Sequence, residues 1–274
     1  MDKFNYKKNQ KKWPTFPFDV QQTSFMFYLV ISQNFIFLPI ILLIFLFFCQ
    51  NIYLFFFYYH FIVGMHSYQY VPESEFKPVK ENLIKLINLV QTSIKDTLKF
   101  RIKFIGSSSR DMITRDMKGN VGYDFDLNII IDPNEKNYDP KSLKEFFMKS
   151  FNSHVGEYGY DPCEDSTSVF TIKVKDKINS KIIHSADFAI VKKVGVTKQF
   201  VRNRKDVNVY CWETLPKYPV KLSQMANWCR EKNHWNEIRD LYLRKKNQNT
   251  DPNKKSRMIY AETVNDIYLK YNGK

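Results

Sequence analysis

Residues 123–131 read YDFDLNIII, an apolar run of strand length that carries two aspartates, Asp124 and Asp126, at alternate positions. Residues two apart on a strand point to the same face, with Cα atoms about 6–7 Å apart. Two carboxylates held that close repel, and burial raises the cost. A divalent cation removes the conflict, because Mg²⁺ takes hard oxygen ligands and commonly joins one or two carboxylates to substrate phosphates. By itself the pair is a weak signal, since a surface strand with two solvated aspartates reads the same way.

Two other segments strengthen it. Phe104-Ile105-Gly106-Ser107-Ser108 is a strand running into a turn. Glycine there allows close backbone approach, and a helix opening at the serines would aim free N–H groups at an anion. Asp187, in IIHSADFAIV, is a third carboxylate in an apolar strand. A third acid is needed if two metal ions are to be held about 3.5–4 Å apart.

Periodicity supplies the framework. Apolar residues at 79, 83, 86, 87, 90, 94 and 98 predict an amphipathic helix from Val79 to about Leu98. Arg101–Gly106 and Tyr123–Ile131 predict strands, separated by a Lys118-Gly119-Asn120 turn and closed by Asp132-Pro133-Asn134. Asp139-Pro140 reads as N-cap and first position of a helix to about Phe151. A loop follows near 156–166. Val169–Val174 and Lys181–Lys192 read as strands joined around Asn179-Ser180. The remainder reads as helical: one long or broken helix through Leu222, Trp228, Trp235 and Leu241, and a last one opening at Asp251-Pro252. The fold class expected is α+β, a mixed sheet with helices plus a helical C-terminal part.

The stretch GSSSRDMITRDMKGNVGYDFDLNIII, with the later strand carrying Asp187, resembles the signature of DNA polymerase beta-type nucleotidyltransferases. In style it is similar to bacterial cyclic-oligonucleotide synthases and oligoadenylate-synthase-like enzymes, which show G-S-x-x-R before the D-x-D; Arg110 matches that spacing. The resemblance covers roughly residues 75–195. Two departures stand out: Asp111-Met112 replace the usual Gly-Thr, and sixteen residues separate Ser107 from Asp124. The resemblance implies a polymerase-beta-like core at 65–197 followed by a basic helical region at 198–274. It implies Asp124, Asp126 and Asp187 as catalytic, metal-binding carboxylates for Mg²⁺ or Mn²⁺. Gly106, Ser107, Ser108 and Arg110 would bind a nucleoside triphosphate such as ATP, whose nucleoside monophosphate passes to a hydroxyl on a nucleotide or RNA with release of pyrophosphate. A catalytically inactive fold of this kind used as a binding module is the alternative from another class, as is a membrane-anchored interaction protein.

Charge agrees with a polyanionic partner. Residues 198–274 carry seventeen Lys/Arg against eight acids, whereas 65–197 carry twenty against eighteen. Arg202, Arg204 and Lys205 form a basic cluster, while Arg244-Lys245-Lys246 and Lys254, Lys255, Arg257 read as solvated runs. His184, three residues before Asp187, faces the other side of a regular strand and reads as structural. The spacing of Trp228 and Trp235 favours core packing. The four cysteines lack metal-site spacing and read as reduced thiols in a cytoplasmic catalytic domain.

Residues 25–63 form 39 residues without a single Asp, Glu, Lys or Arg. They are long enough for a membrane anchor, which needs about 20 apolar residues. The five lysines before the segment would then stay inside, and a single span would place the catalytic core outside. A start at Met65, which would make residues 1–64 a mis-assigned upstream segment, removes that conflict, and a buried helical hairpin is a third reading.

Overall fold

The computed structural model describes residues 66–132, 138–215 and 220–273. The hydrophobic segment 25–63, the proposed start at Met65 and the turn residues Pro133-Asn134 lie outside the described residues. Among the described residues no helix is long and apolar enough to cross a membrane.

In chain order the elements are β1 (Tyr68–Tyr70), α1 (Glu73–Ile94), β2 (Phe100–Ile105), a 3₁₀ turn (Gly106–Ser109), β3 (Thr114–Asp116), β4 (Val121–Ile131) and α2 (Pro140–Asn152). A second 3₁₀ turn (Val155–Tyr158) leads to β5 (Glu164–Asp165), β6 (Phe170–Asp176), β7 (Lys181–Val194), β8 (Thr197–Arg204) and β9 (Val209–Thr214). The chain then turns helical: α3 (Val220–Glu231), α4 (Trp235–Gln248) and α5 (Ser256–Asn272). The architecture is α+β, a mixed sheet in the order β2-β4-β7-β6-β5, with β8 and β9 continuing from the far end of β7. The central pair, β4 and β7, is parallel, and the other pairs are antiparallel.

Alternation sorts the sheet into two faces. Tyr123, Phe125, Leu127, Ile129 and Ile131 on β4 are buried with Ala186, Phe188 and Ile190 on β7, against Leu83, Leu86, Ile87 and Val90 of α1 and Phe147 and Phe151 of α2. Asp124, Asp126 and Asn128 point the other way. A second core lies among the C-terminal helices, built on Met225, Cys229, Ile238, Tyr242, Ile259 and Val264, and Met112 reaches into it from the segment after β2.

The cap at Asp139 forms as its sequence predicts, accepting from the Ser142 amide at 2.8 Å with Pro140 at the first helical position. Several boundaries differ. Helix α1 opens six residues before Val79, where Glu73 and Glu75 face the positive end of the helix dipole. Pro78 lies in its second turn, where it lacks the amide that would bond back to the Ser74 carbonyl. Residues 197–214, expected in the helical remainder, are a β-hairpin, since Phe200 and Val201 are buried against the end of β7. The broken helix is two helices, parted where Asn233 takes a left-handed backbone at φ 59°. The last helix starts at Ser256 rather than at Asp251, whose carboxylate instead closes a turn onto the Asn253 amide.

Candidate active site

The parallel pairing of β4 with β7 sets Asp126 directly beside Asp187 and Asp124 beside Ser185. Neighbouring strands lie about 5 Å apart, so three carboxylates from two strands share one face of the sheet. On the outer side of β7, Thr171 of β6 pairs with Asp187, and its hydroxyl donates to Asp187 Oδ1 at 2.5 Å. That bond holds one oxygen of Asp187 and leaves the other without a hydrogen bond to a described residue.

Two glycines permit the local geometry. Gly106 follows β2 at φ +62°, and a Cβ there would collide with the Asp126 carboxylate. Gly122 opens β4 against β7, where a Cβ would run into the Ile183 carbonyl. The 3₁₀ turn is thereby pressed against Asp126. Ser107 lines the resulting cavity. Ser108, expected among the ligand-binding residues, is fully buried and its hydroxyl donates to the Ile105 carbonyl at 2.7 Å, because the turn points it inward.

The cavity encloses about 480 Å³ between the sheet and the C-terminal helices. Asp124, Asp126, Gly106, Ser107 and Arg110 lie on one wall, and Tyr68, Tyr242, Lys246, Ser256 and Arg257 on the other. Asp187 lies just beyond this lining, next to Asp126. Lys246 is the residue that sequence reading missed, having been grouped with a solvated run. Its ammonium lies 4.0 Å from the centre of the Tyr68 ring and donates to Thr114 Oγ1 at 2.5 Å. The signal was present: Ile238, Tyr242 and Lys246 recur every four residues, placing the lysine on the buried face of α4. Arg110 packs its guanidinium 4.0 Å from the Tyr260 ring centre and leaves its Nε buried without a hydrogen bond.

The electrostatics are those of a site that wants a ligand. Burial, then the charges of Asp124 and Asp187, push the Asp126 carboxyl up to about 6, with Arg110 opposing. Asp124 stands at the open mouth, yet the protein around it and the Asp187 charge raise its carboxyl too, against the pull of Lys246. Burial also raises Asp187, although the Thr171 bond resists. Desolvation lowers the Lys246 ammonium to about 8, with Asp124 and Asp116 opposing. Three raised carboxylates, two on the cavity wall and Asp187 beside them, are a hard-oxygen donor set, the type that suits Mg²⁺ or Mn²⁺. Among the described residues no three His, Cys, Asp or Glu side chains are placed to hold an ion unaided. The remaining ligands would have to come from substrate phosphates, which is how Mg²⁺ is commonly bound.

Asp111, the departure noted after Arg110, has a left-handed backbone at φ 54°, and its carbonyl accepts from Arg239. Glycine adopts that conformation without penalty, and Asp is among the residues that tolerate it best. Asp111→Gly should therefore leave stability unchanged or raise it by up to about 1 kcal/mol, readable as a higher melting temperature. A large loss of stability would show that the Asp111 side chain is needed.

His184, Trp228, Trp235 and Arg202 have structural surroundings. His184 lies on the core face, stacked on Tyr123 and edge-on to Tyr160, and burial lowers its pKa. Trp228 and Trp235 pack against the C-terminal core, and Arg202 pairs with Glu213 across the hairpin at 2.7 Å.

No protein-family model matches the chain, and no curated protein matches its sequence. Among solved structures it is similar to the apo form of Vibrio cholerae DncV, at 14% identity over 74% of this chain and 68% of that one, with a TM-score of 0.49. It is also similar to Escherichia coli MS115-1 CdnC with ATP, at 15% identity over 77% and 69%, TM-score 0.43. The 3′-deoxy GTP-bound form of Escherichia coli DncV matches at 14% identity and TM-score 0.45 over 68% of this chain, which spans about half of that protein, 52% of its length.

Proposed function

We propose that this cavity is the active site of a metal-dependent nucleotidyltransferase, which moves a nucleoside monophosphate from a nucleoside triphosphate to a hydroxyl acceptor. The observation that carries the reading is the juxtaposition of Asp126 and Asp187 on paired strands, with Asp126 lining a cavity whose far wall presents Lys246. Carboxylates alone would repel a triphosphate, and cations alone would bind one without reacting. The two walls together can do both jobs.

Asp124, Asp126 and Asp187 would hold Mg²⁺ or Mn²⁺, which when bound neutralises charge on the α-phosphate and lowers the pKa of the attacking hydroxyl. Lys246, Ser107, Arg110 and Arg257 hold the triphosphate, and the Tyr68 and Tyr242 rings flank it. Asp187, with Oδ1 held by Thr171, keeps its second oxygen beside the acceptor hydroxyl and takes its proton. The hydroxyl oxygen bonds to the α-phosphorus, the bond from that phosphorus to the bridging oxygen breaks, and pyrophosphate leaves with the electron pair. A second reading, a nucleotide-binding module without turnover, is favoured by one fact: the acids do not form a ready cluster among the described residues.

Calorimetric titration of the full chain with ATP, with Mg²⁺ and with chelator, tests the binding half. Affinity should depend on the ion. Lys246→Met should weaken it at least about tenfold, because a charge-assisted contact to phosphate is removed. Wild-type affinity should also fall as pH rises through about 8, where Lys246 loses its proton, and the variant should lack that fall. Equal affinity in Lys246→Met, or binding indifferent to the ion, would contradict the assignment.

A further inference from the structure

The face of the sheet that carries the aspartates does not stop at the cavity. Beyond Asp126 it continues to Asn128 and Ile130 on β4, Ala189 on β7, and Lys103 and Arg101 on the edge strand β2. Ile105 pairs with Asp126, Lys103 with Asn128 and Arg101 with Ile130. Lys103 and Arg101 are exposed on this face, whereas Ile102 between them and Phe104 after them pack against the core on the other. Neither side chain makes an ion pair or hydrogen bond with another described residue.

We propose that this row binds the phosphates of a single-stranded oligonucleotide, so that the acceptor is a nucleic-acid end rather than a free nucleotide alone. The inference rests on reading Asp187 as the group beside the acceptor hydroxyl. The triphosphate cavity takes the 121–126 half of β4 and the turn after β2, so an acceptor chain would run over the other half of β4, past Asn128, with Lys103 and Arg101 on the β2 side and Asp187 across β4 on β7. A polyanion brought beside three carboxylates needs cationic charge that is not already paired, and Lys103 and Arg101 supply it. Their residues lie about 7 Å and about 13 Å along the strands from the Asp126 pair. That places two cations beyond the reacting group, where a chain of phosphates continues and a lone hydroxyl does not. Asn128, between them and the small Ala189, offers both a donor and an acceptor to a base or sugar.

The test is binding of a short fluorescein-labelled single-stranded RNA to the full chain, followed by anisotropy across a salt series. Arg101→Ala with Lys103→Ala should weaken binding at least about tenfold and reduce the slope of log K against log salt by about 1.4, two single-strand phosphate contacts' worth. Mg²⁺-dependent ATP affinity, measured on the same samples, should stay within about twofold, since the pair lies outside the triphosphate cavity. Lys177→Ala with Lys181→Ala, at the distant β6–β7 turn, should leave both unchanged. The proposal is overturned if the wild type does not bind the RNA, if the Arg101/Lys103 double variant keeps wild-type affinity and slope, or if the Lys177/Lys181 control loses as much. A wild type whose RNA binding needs the pair but which binds no ATP would keep the track and remove the nucleotidyl-transfer reading.

Discussion

Asp126→Asn should cut nucleotide transfer at least about 10²-fold, the size of effect seen when a strong electrostatic stabiliser is lost. The substitution keeps the side chain's shape and removes its charge, so β4 still forms. Without metal the variant should be as stable as wild type or more so. The sign follows from the carboxyl itself, which titrates near 6 in the folded chain and near 3.8 unfolded. The folded state holds the proton more tightly, so wild-type stability falls as pH rises from about 4 to about 6. The Asn variant does not share that loss. At neutral pH it should gain on the order of 1–2 kcal/mol, less than the shift alone implies because the carboxylate keeps some contact with water. Below pH 4 the gain should vanish. Chemical denaturation of both proteins across this range reads it directly, and a variant less stable than wild type at pH 7 would show that Asp126 is held by partners rather than crowded by like charges.

A second large effect lies away from the cavity. Lys144 on α2 is almost wholly buried, with its ammonium 2.5 Å from Asp165 Oδ1 and donating to the Ser166 carbonyl. Asp165 Oδ2 accepts from Tyr210 and Asn203, so the pair ties α2 and β5 to the β8–β9 hairpin. Removing the carboxylate leaves a buried cation without a counter-charge, and Asp165→Ala should cost about 3–5 kcal/mol. Adding Lys144→Met should recover much of that loss, because a well-packed apolar side chain replaces the stranded charge. A double variant no more stable than Asp165→Ala would place the cost in the lost Tyr210 and Asn203 bonds instead.

The parts of this molecule that were legible in its sequence are those where one physical rule acts alone. Alternation put Asp124 and Asp126 on one face of β4 and His184 opposite Asp187, and the Asp139-Pro140 cap acts within one turn of chain. What was not legible depends on distant partners. The hairpin at 197–214 is rich in charge, and only its packing against β7 reveals it as sheet. Lys246 looked solvated because two basic neighbours surround it, while its helical spacing from Tyr242 turns it into the cavity. Ser108 looked like a phosphate contact until the turn at Gly106 directed it into the protein.

The most direct test of the central claim is pyrophosphate release by the full chain, supplied with each nucleoside triphosphate, Mg²⁺ or Mn²⁺, and a short RNA. At least one triphosphate should yield pyrophosphate matched by a product bearing its monophosphate, with both lost in Asp126→Asn. Folded protein that binds triphosphate yet releases no pyrophosphate with any of them, or that releases it equally as Asp126→Asn, would contradict the account.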